Sequence, residues 1–92
     1  MGMEQKICPV DVISVCSAEG EIRPLRLRVA DEAEELFRID IEKVVSTKEI
    51  PYVGAEATIF LCQATAWGRR WLIELKYVMR SHTWYLLRKI QG

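Results

Sequence analysis

The segment from Ala57 to Ile90 constrains the fold of this chain most strongly, because it predicts three consecutive strands with almost no connecting loop. Residues 71–77 alternate between an apolar face and a more polar one, and aromatic or β-branched residues are frequent there and over 57–64 and 83–90. Such period-two alternation is typical of strands that bury one face. The turn Ala66-Trp67-Gly68-Arg69 separates the first two strands, and residues 79–82 separate the last two. The segment therefore predicts two antiparallel hairpins end to end.

Three further strands are predicted in the first half of the chain, over residues 7–16, 22–29 and 36–47. Gly20 is free to take the positive φ of a hairpin corner between the first two. The adjacent residues Val44 and Val45 interrupt the alternation of the third strand, which predicts a bulge there. The connections are a charged loop at 31–35 and a longer loop at 48–56, which contains Pro51 and Gly54.

Six short antiparallel strands in 92 residues predict one all-β domain spanning residues 1–92, with residues 1–6 flexible. A sandwich and a small barrel are both compatible with this count. We favour a partly open, SH3-like or similar barrel, because closure removes sheet edges that so small a protein could not otherwise protect. The alternation assigns one common core to a set of nine apolar residues: Leu25, Leu27, Phe37, Ile39, Trp71, Ile73, Leu75, Trp84 and Leu86.

The charge balance gives no bulk attraction to nucleic acid or membrane, since 13 basic residues face 13 acidic ones. The halves differ, however: residues 1–56 carry 7 Lys and Arg against 12 Asp and Glu, and residues 57–92 carry 6 against 1. In a barrel the two halves interleave, so we expect these charges to mix. With three cysteines, no apolar run long enough to cross a bilayer and no secretory layout at the N-terminus, the expected location is the cytoplasm.

Residues suited to catalysis or metal binding are few. The single histidine, His82, follows Ser81 in a predicted turn, and neighbours there do not form a nucleophile–base pair. Asp40 and Glu42 would lie about 7 Å apart on one solvated strand face, with no cleft to shift either pKa. The three cysteines lack the paired spacing of zinc sites, and buried core thiols are their expected role. We therefore expect no enzyme, no cofactor and no metal.

One set of residues favours a binding function, because it combines an exposed aromatic ring with positive charge. A tryptophan in a hairpin turn is hard to bury, and Tyr85, Leu87 and Lys89 are expected to share a strand face. The candidate binding face consists of Trp67, Arg69, Arg70, Lys76, Arg88 and Lys89. Trp, Tyr and Arg are the side chains enriched in protein interfaces. We therefore expect a protein–protein adaptor or a homo-oligomeric accessory protein, with no membrane or small-molecule ligand.

The alternative function is a nucleic-acid-binding barrel, in which bases stack on exposed rings above a basic groove. It requires the positive strands to form a continuous face. The opposite arrangement would place acidic residues beside these arginines and cancel the field, namely Glu32, Glu34, Glu35, Asp40 and Glu42. Salt dependence distinguishes the two functions, since phosphate contacts weaken steeply with ionic strength.

The order of short motifs along most of the chain also resembles a family of short bacterial β-barrel proteins, often encoded near Y-family lesion-bypass DNA polymerases. The matching motifs are Glu19-Gly20-Glu21-Ile22-Arg23-Pro24, Ile41-Glu42-Lys43-Val44, Gly54, Cys62, Gly68-Arg69 and Trp84-Tyr85. This chain departs from the family by a longer final hairpin, with residues 77–83 inserted, and by lacking a second glycine in the loop of Gly54. No activity is assigned to the family. The resemblance therefore implies a small barrel and a DNA-repair context, without catalytic residues.

Overall fold

The computed structural model describes residues 8–30 and 33–91 as an antiparallel six-stranded barrel, and these residues contain no helix. Each strand pairs with the next along the chain, and β1 pairs with β6 to close the barrel. The strands are β1 (Cys8–Cys16), β2 (Ile22–Ala30), β3 (Leu36–Ile50), β4 (Ala57–Ala66), β5 (Arg69–Val78) and β6 (Thr83–Gln91). The predicted all-β barrel is confirmed, while the likeness to SH3 barrels stays a prediction. The expected flexibility of residues 1–6 falls outside the described residues.

Closure of the barrel depends on a short seam. β1 pairs with β6 only where Cys8, Pro9 and Val10 face Leu86, Tyr85 and Trp84. By contrast, β4 and β5 are paired over ten residue pairs, from Ala57 opposite Val78 to Ala66 opposite Arg69. Backbone pairing therefore makes the seam the weakest strand contact of the barrel.

The core fills the interior, as the alternation predicts. Its buried residues are Leu27, Ile39, Phe60, Cys62, Ala64, Ala66, Ile73, Leu75, Trp84 and Leu86, with Phe37 and Trp71 packed against them and partly buried. Leu25 is the exception, because it is 42% exposed. The pairing of β1 with β2 passes from Ile13–Arg26 to Ser14–Pro24, so Leu25 has no partner and occupies a bulge. Pro24 fills the interior position instead, and the prediction that Leu25 joins the core is wrong.

The third strand differs from its prediction in length. The register of β3 on β4 shifts between Val44 and Ser46, which confirms the predicted bulge at Val45. The strand then continues to Ile50, which pairs with Ala57, so the predicted loop at 48–56 shortens to residues 51–56. Lys48 and Glu49 belong to the strand because both pair with β4. Their charges are compatible with this pairing, since both side chains are exposed.

Candidate functional site

Trp67 lies in the two-residue turn between β4 and β5, between the paired residues Ala66 and Arg69. Its φ is +53°, and the φ of Gly68 is +70°. Two positive φ values in a two-residue hairpin loop define the type I′ turn, which matches the twist of the strands that it joins. Asn-Gly is the usual sequence of such a turn, and a bulky side chain at the first position is a conformational outlier. The sequence therefore places a tryptophan where the backbone favours a small residue.

The side chain of Trp67 packs against two other aromatic rings. Its ring centroid lies 4.3 Å from that of Phe37, the second residue of β3, and 5.6 Å from that of Trp71 in β5. The indole N–H of Trp71 donates a hydrogen bond to the carbonyl oxygen of Ala66, at 3.2 Å. Trp67 nevertheless remains 54% exposed. We call this group, together with Lys89, the aromatic end of the barrel.

Lys89 reaches the aromatic end through a bulge in β6. Its ammonium nitrogen lies 5.4 Å from the ring centroid of Trp67 and 5.7 Å from that of Trp71. The register of β5 on β6 passes from Glu74–Arg88 to Leu75–Leu86, which leaves Leu87 unpaired. Lys89 consequently pairs with Ile73, whose side chain is buried, and residues paired across a sheet share a face. The prediction that Tyr85, Leu87 and Lys89 share a face is therefore wrong.

The other predicted basic residues do not form one surface with Trp67. Lys76 pairs with Ile59 and Tyr85 and lies seven residues along β5 from Arg69, about 23 Å at the usual strand rise. Arg88 forms an ion pair with Glu74, with Nε and Oε1 2.9 Å apart. Of the six residues of the candidate binding face, the structure thus brings Trp67 and Lys89 into contact, with Arg69 beginning β5 immediately after the turn.

Some of the acidic residues expected to cancel the positive field do lie beside arginines. The Nε of Arg70, on β5, lies 4.0 Å from Oε1 of Glu42. The other carboxylate oxygen of Glu42 accepts a hydrogen bond from the hydroxyl of Thr65. Asp40 instead pairs with Arg26 at 3.2 Å and with Arg38 at 3.3 Å, all within the first half of the chain. Glu34 and Glu35 lie in the loop that leads to β3 and Phe37, whereas Glu32 lies outside the described residues. Acidic residues therefore lie beside Arg70 and in the loop before Phe37.

The residues considered for catalysis have other contacts. His82 is exposed, and its φ is +56°. Its Nδ1 lies 2.9 Å from the hydroxyl oxygen of Tyr77. The hydroxyl of Ser81 is hydrogen-bonded to that of Thr83 at 2.6 Å, and not to the neighbouring histidine. Asp40 and Glu42 bind separate arginines. No nucleophile–base pair is therefore assembled by these side chains.

The cysteines occupy two kinds of environment. Cys62 is completely buried in the core, and burial raises the pKa of its thiol to about 12. Cys8 and Cys16, the first and last residues of β1, are exposed, so the expectation that they fill the core is wrong. Within residues 8–30 and 33–91, no cluster of three or more His, Cys, Asp or Glu side chains is arranged to hold a metal ion.

A second region, which the strand predictions did not identify, is the outer surface of β1. Val10 and Val12 pack against the core, whereas Ile13 and Val15 are exposed on the opposite face. Antiparallel strands with one solvated face usually alternate between apolar and polar residues. Apolar residues on the outward as well as the inward face therefore indicate that the outward face of β1 is covered. The run Val12-Ile13-Ser14-Val15 shows this pattern in the sequence.

Comparisons of the chain with protein-family models, with curated proteins and with solved structures found no match. The resemblance to barrels encoded near lesion-bypass polymerases accordingly stays a prediction. Among the residues that the structure describes, no helix is long and apolar enough to cross a membrane.

Proposed function

We propose that the protein is a non-enzymatic binding module, a protein–protein adaptor that contacts its partner through the aromatic end. The observation that carries this proposal is the conformation of Trp67, which combines a positive φ with a ring that is 54% exposed. Backbone strain of this kind persists only where the surrounding contacts maintain it, and it is concentrated at functional sites. Asn at this position would relieve the backbone strain but would lose the ring contacts with Phe37 and Trp71.

The contacts of Trp67 support a role as an interface anchor. Phe37 and Trp71 hold the ring in place, so little side-chain entropy is lost when a partner covers the exposed part. Tryptophan is among the residues that contribute most binding energy in protein interfaces, and arginine is another. Arg69, which is exposed beside the turn, supplies the second type.

The charges around the aromatic end favour a protein over a nucleic acid. Glu42 lies beside Arg70, and the loop before β3 contributes Glu34 and Glu35 at the start of the strand that carries Phe37. A phosphate backbone would meet these carboxylates as well as the cations. An interface of mixed sign suits a protein partner, for which charge complementarity sets specificity and orientation.

Site-specific photo-crosslinking in the organism that encodes the protein tests this proposal. A photoreactive amino acid replaces Trp67 in one variant and Val53 in a control, because Val53 is 96% exposed in the loop between β3 and β4. We expect position 67 alone to give a defined adduct with another protein, which excess unmodified protein suppresses and the Trp67→Ala variant does not. Identical adducts at both positions, or none at position 67, would contradict the proposal.

A nucleic-acid-binding barrel is the second candidate, and the positions of Arg69 and Lys89 beside Trp67 favour it. In the same experiment, this function predicts that the adduct at position 67 contains nucleic acid. Nuclease should then abolish the adduct, and protease should leave the crosslinked residue attached to nucleic acid. The composition of the chain favours the cytoplasm for either candidate, and the resemblance to barrels encoded near DNA polymerases supplies a bacterial, DNA-repair setting. That setting rests on the resemblance alone.

A further inference from the structure

The second edge of β1 lacks a strand partner over most of its length. On one side, Asp11 to Cys16 pair with β2. On the other side, β1 pairs with β6 only from Cys8 to Val10, since Val10 faces Trp84 and β6 begins one residue earlier, at Thr83. Within the part of the chain that the structure describes, no strand pairs with this side of residues 11–16.

Backbone groups along this edge are available for hydrogen bonding. Alternate residues of an antiparallel strand direct their N–H and C=O groups to opposite neighbours, so six residues leave about three donors and about three acceptors on the open side. The edge faces a groove of about 610 Å³ between β1 and the end of the β5–β6 hairpin. Val12 and Ser14 line one wall of the groove, and Tyr77, His82 and Trp84 line the other.

The sequence of this edge lacks the features that usually prevent strand addition. Native edges carry lysine, proline or inward charges that block pairing with another chain. Residues 12–16 of β1 contain no charge, and Pro9 lies before the open part. Val12, Ile13 and Val15 are β-branched, which favours an extended conformation, and Ile13 is 57% exposed. A long apolar edge of this kind is a site of association.

We propose that this edge pairs with the same edge of a second copy of the chain, so that two antiparallel β1 strands join two barrels into a symmetric dimer. A two-fold axis perpendicular to the sheet keeps outward side chains on one surface, because paired residues share a face. Among the registers that satisfy this condition, the one centred on Ile13 places Ile13 opposite the partner's Ile13 and pairs residues 11–15 of the two chains. It also places Asp11 opposite the partner's Val15, so no like charges meet.

The occupant follows from the composition of the edge. Asp11 is the only charged residue in the open segment, and its carboxylate already accepts a hydrogen bond from Arg28 at 2.7 Å. The other side chains of the open segment are the apolar Val12, Ile13 and Val15 and the uncharged Ser14 and Cys16. An uncharged, β-branched strand matches them best, because it places no charge opposite an apolar side chain. The segment itself has this chemistry. The dimer does not depend on the proposed role of Trp67, which lies in the turn between β4 and β5.

Sedimentation velocity over a wide micromolar concentration range tests the dimer. We expect the unmodified chain to dimerise, and we expect Ile13→Lys to weaken association by about tenfold or more, because an edge lysine blocks strand pairing. Val53→Lys is the matched control, since it places the same charge on a more exposed apolar residue of the β3–β4 loop. Thermal unfolding verifies that both variants are folded.

A monomer at every concentration, or equal association of the two lysine variants, would overturn the proposal. Trp67→Asn should dimerise as the unmodified chain does, which separates failure of this inference from failure of the proposed adaptor function. Loss of the dimer in Trp67→Asn would also overturn the proposal, because it would assign the contact to the aromatic end.

Disulfide trapping tests the register independently. Ile13→Cys is combined with Cys8→Ser and Cys16→Ser, which leaves the buried Cys62 as the only other thiol. Oxidation should yield a covalent dimer, because directly opposed residues have Cβ atoms about 4.5–5.5 Å apart. Val53→Cys in the same background should yield much less. Equal yields at the two positions would show random collision and refute the register.

Discussion

Replacement of Trp67 by alanine and by asparagine separates the strain of its backbone from the contacts of its ring. Trp67 is 54% exposed, so it buries somewhat less than half of a surface of about 250 Å². At about 25 cal/mol per Å², the lost burial destabilises either variant by about 3 kcal/mol. Alanine retains the strain of the positive φ, whereas asparagine adopts that conformation readily, which recovers about 1 kcal/mol.

We therefore expect the free energy of unfolding to decrease in the order Trp67, Trp67→Asn and Trp67→Ala, with about 1 kcal/mol between the two variants. Urea denaturation followed by circular dichroism measures the difference. Gly68→Ala is the control, because its φ is +70° and an added Cβ would meet no atom within 4 Å. Its expected cost, about 1 kcal/mol, is purely conformational. An alanine variant as stable as the asparagine variant would refute the strain argument.

Three other predictions concern the core. Trp84→Ala should destabilise the barrel by about 3–5 kcal/mol in urea denaturation, because Trp84 is buried against Phe60 and Tyr77, and a near-native midpoint would disprove that packing. Leu25→Lys should change the free energy of unfolding by less than about 0.5 kcal/mol, whereas Leu27→Ala should cost about 2–5 kcal/mol; the reverse order would contradict the bulge. Burial raises the pKa of Cys62 from about 8.5 when unfolded to about 12 when folded, so its contribution is complete below pH about 8.5 and is lost as the pH rises toward 12. Cys62→Ala should therefore lose less stability in that range, and equal losses would argue against a buried thiol.

Alternation along the strands was sufficient to predict the six strands and most of the core. Leu27, Ile39, Ile73 and Leu75 are buried as their spacing requires, because each strand presents one apolar face and a barrel has one interior. The doublet Val44-Val45 also indicated its bulge directly. These features were predictable because each is determined by residues close together in the sequence, and the alternation describes those residues.

The bulges at Leu25 and Leu87 were not predicted. Each changes which face the following residues occupy, and the neighbouring apolar residues do not indicate which of them is left unpaired. At Leu25 the signal was Pro24, which cannot donate a hydrogen bond to a neighbouring strand. At Leu87 the signal was the doublet Leu86-Leu87, and the position of Lys89 over Trp67 and Trp71 depends on that bulge.

The candidate site was predicted only in part, because its geometry depends on residues distant in sequence. The exposure of Trp67 followed from its place in a turn, but its contact with Phe37 required the relative position of two hairpins. Similarly, the halves of opposite charge meet where Arg70 approaches Glu42, across strands β3, β4 and β5. The open edge of β1 depends on where β6 begins, which the sequence of β1 does not contain.

We propose that the aromatic end presents Trp67 to a protein surface and not to a phosphate backbone. Titration with a single-stranded oligothymidylate, followed by tryptophan fluorescence at low and at moderate salt, tests it most directly. The carboxylates near Arg70 and in the loop before Phe37 predict no saturable binding, even at low salt. Micromolar binding that weakens with salt and disappears in Trp67→Ala would contradict the claim and establish the nucleic-acid function.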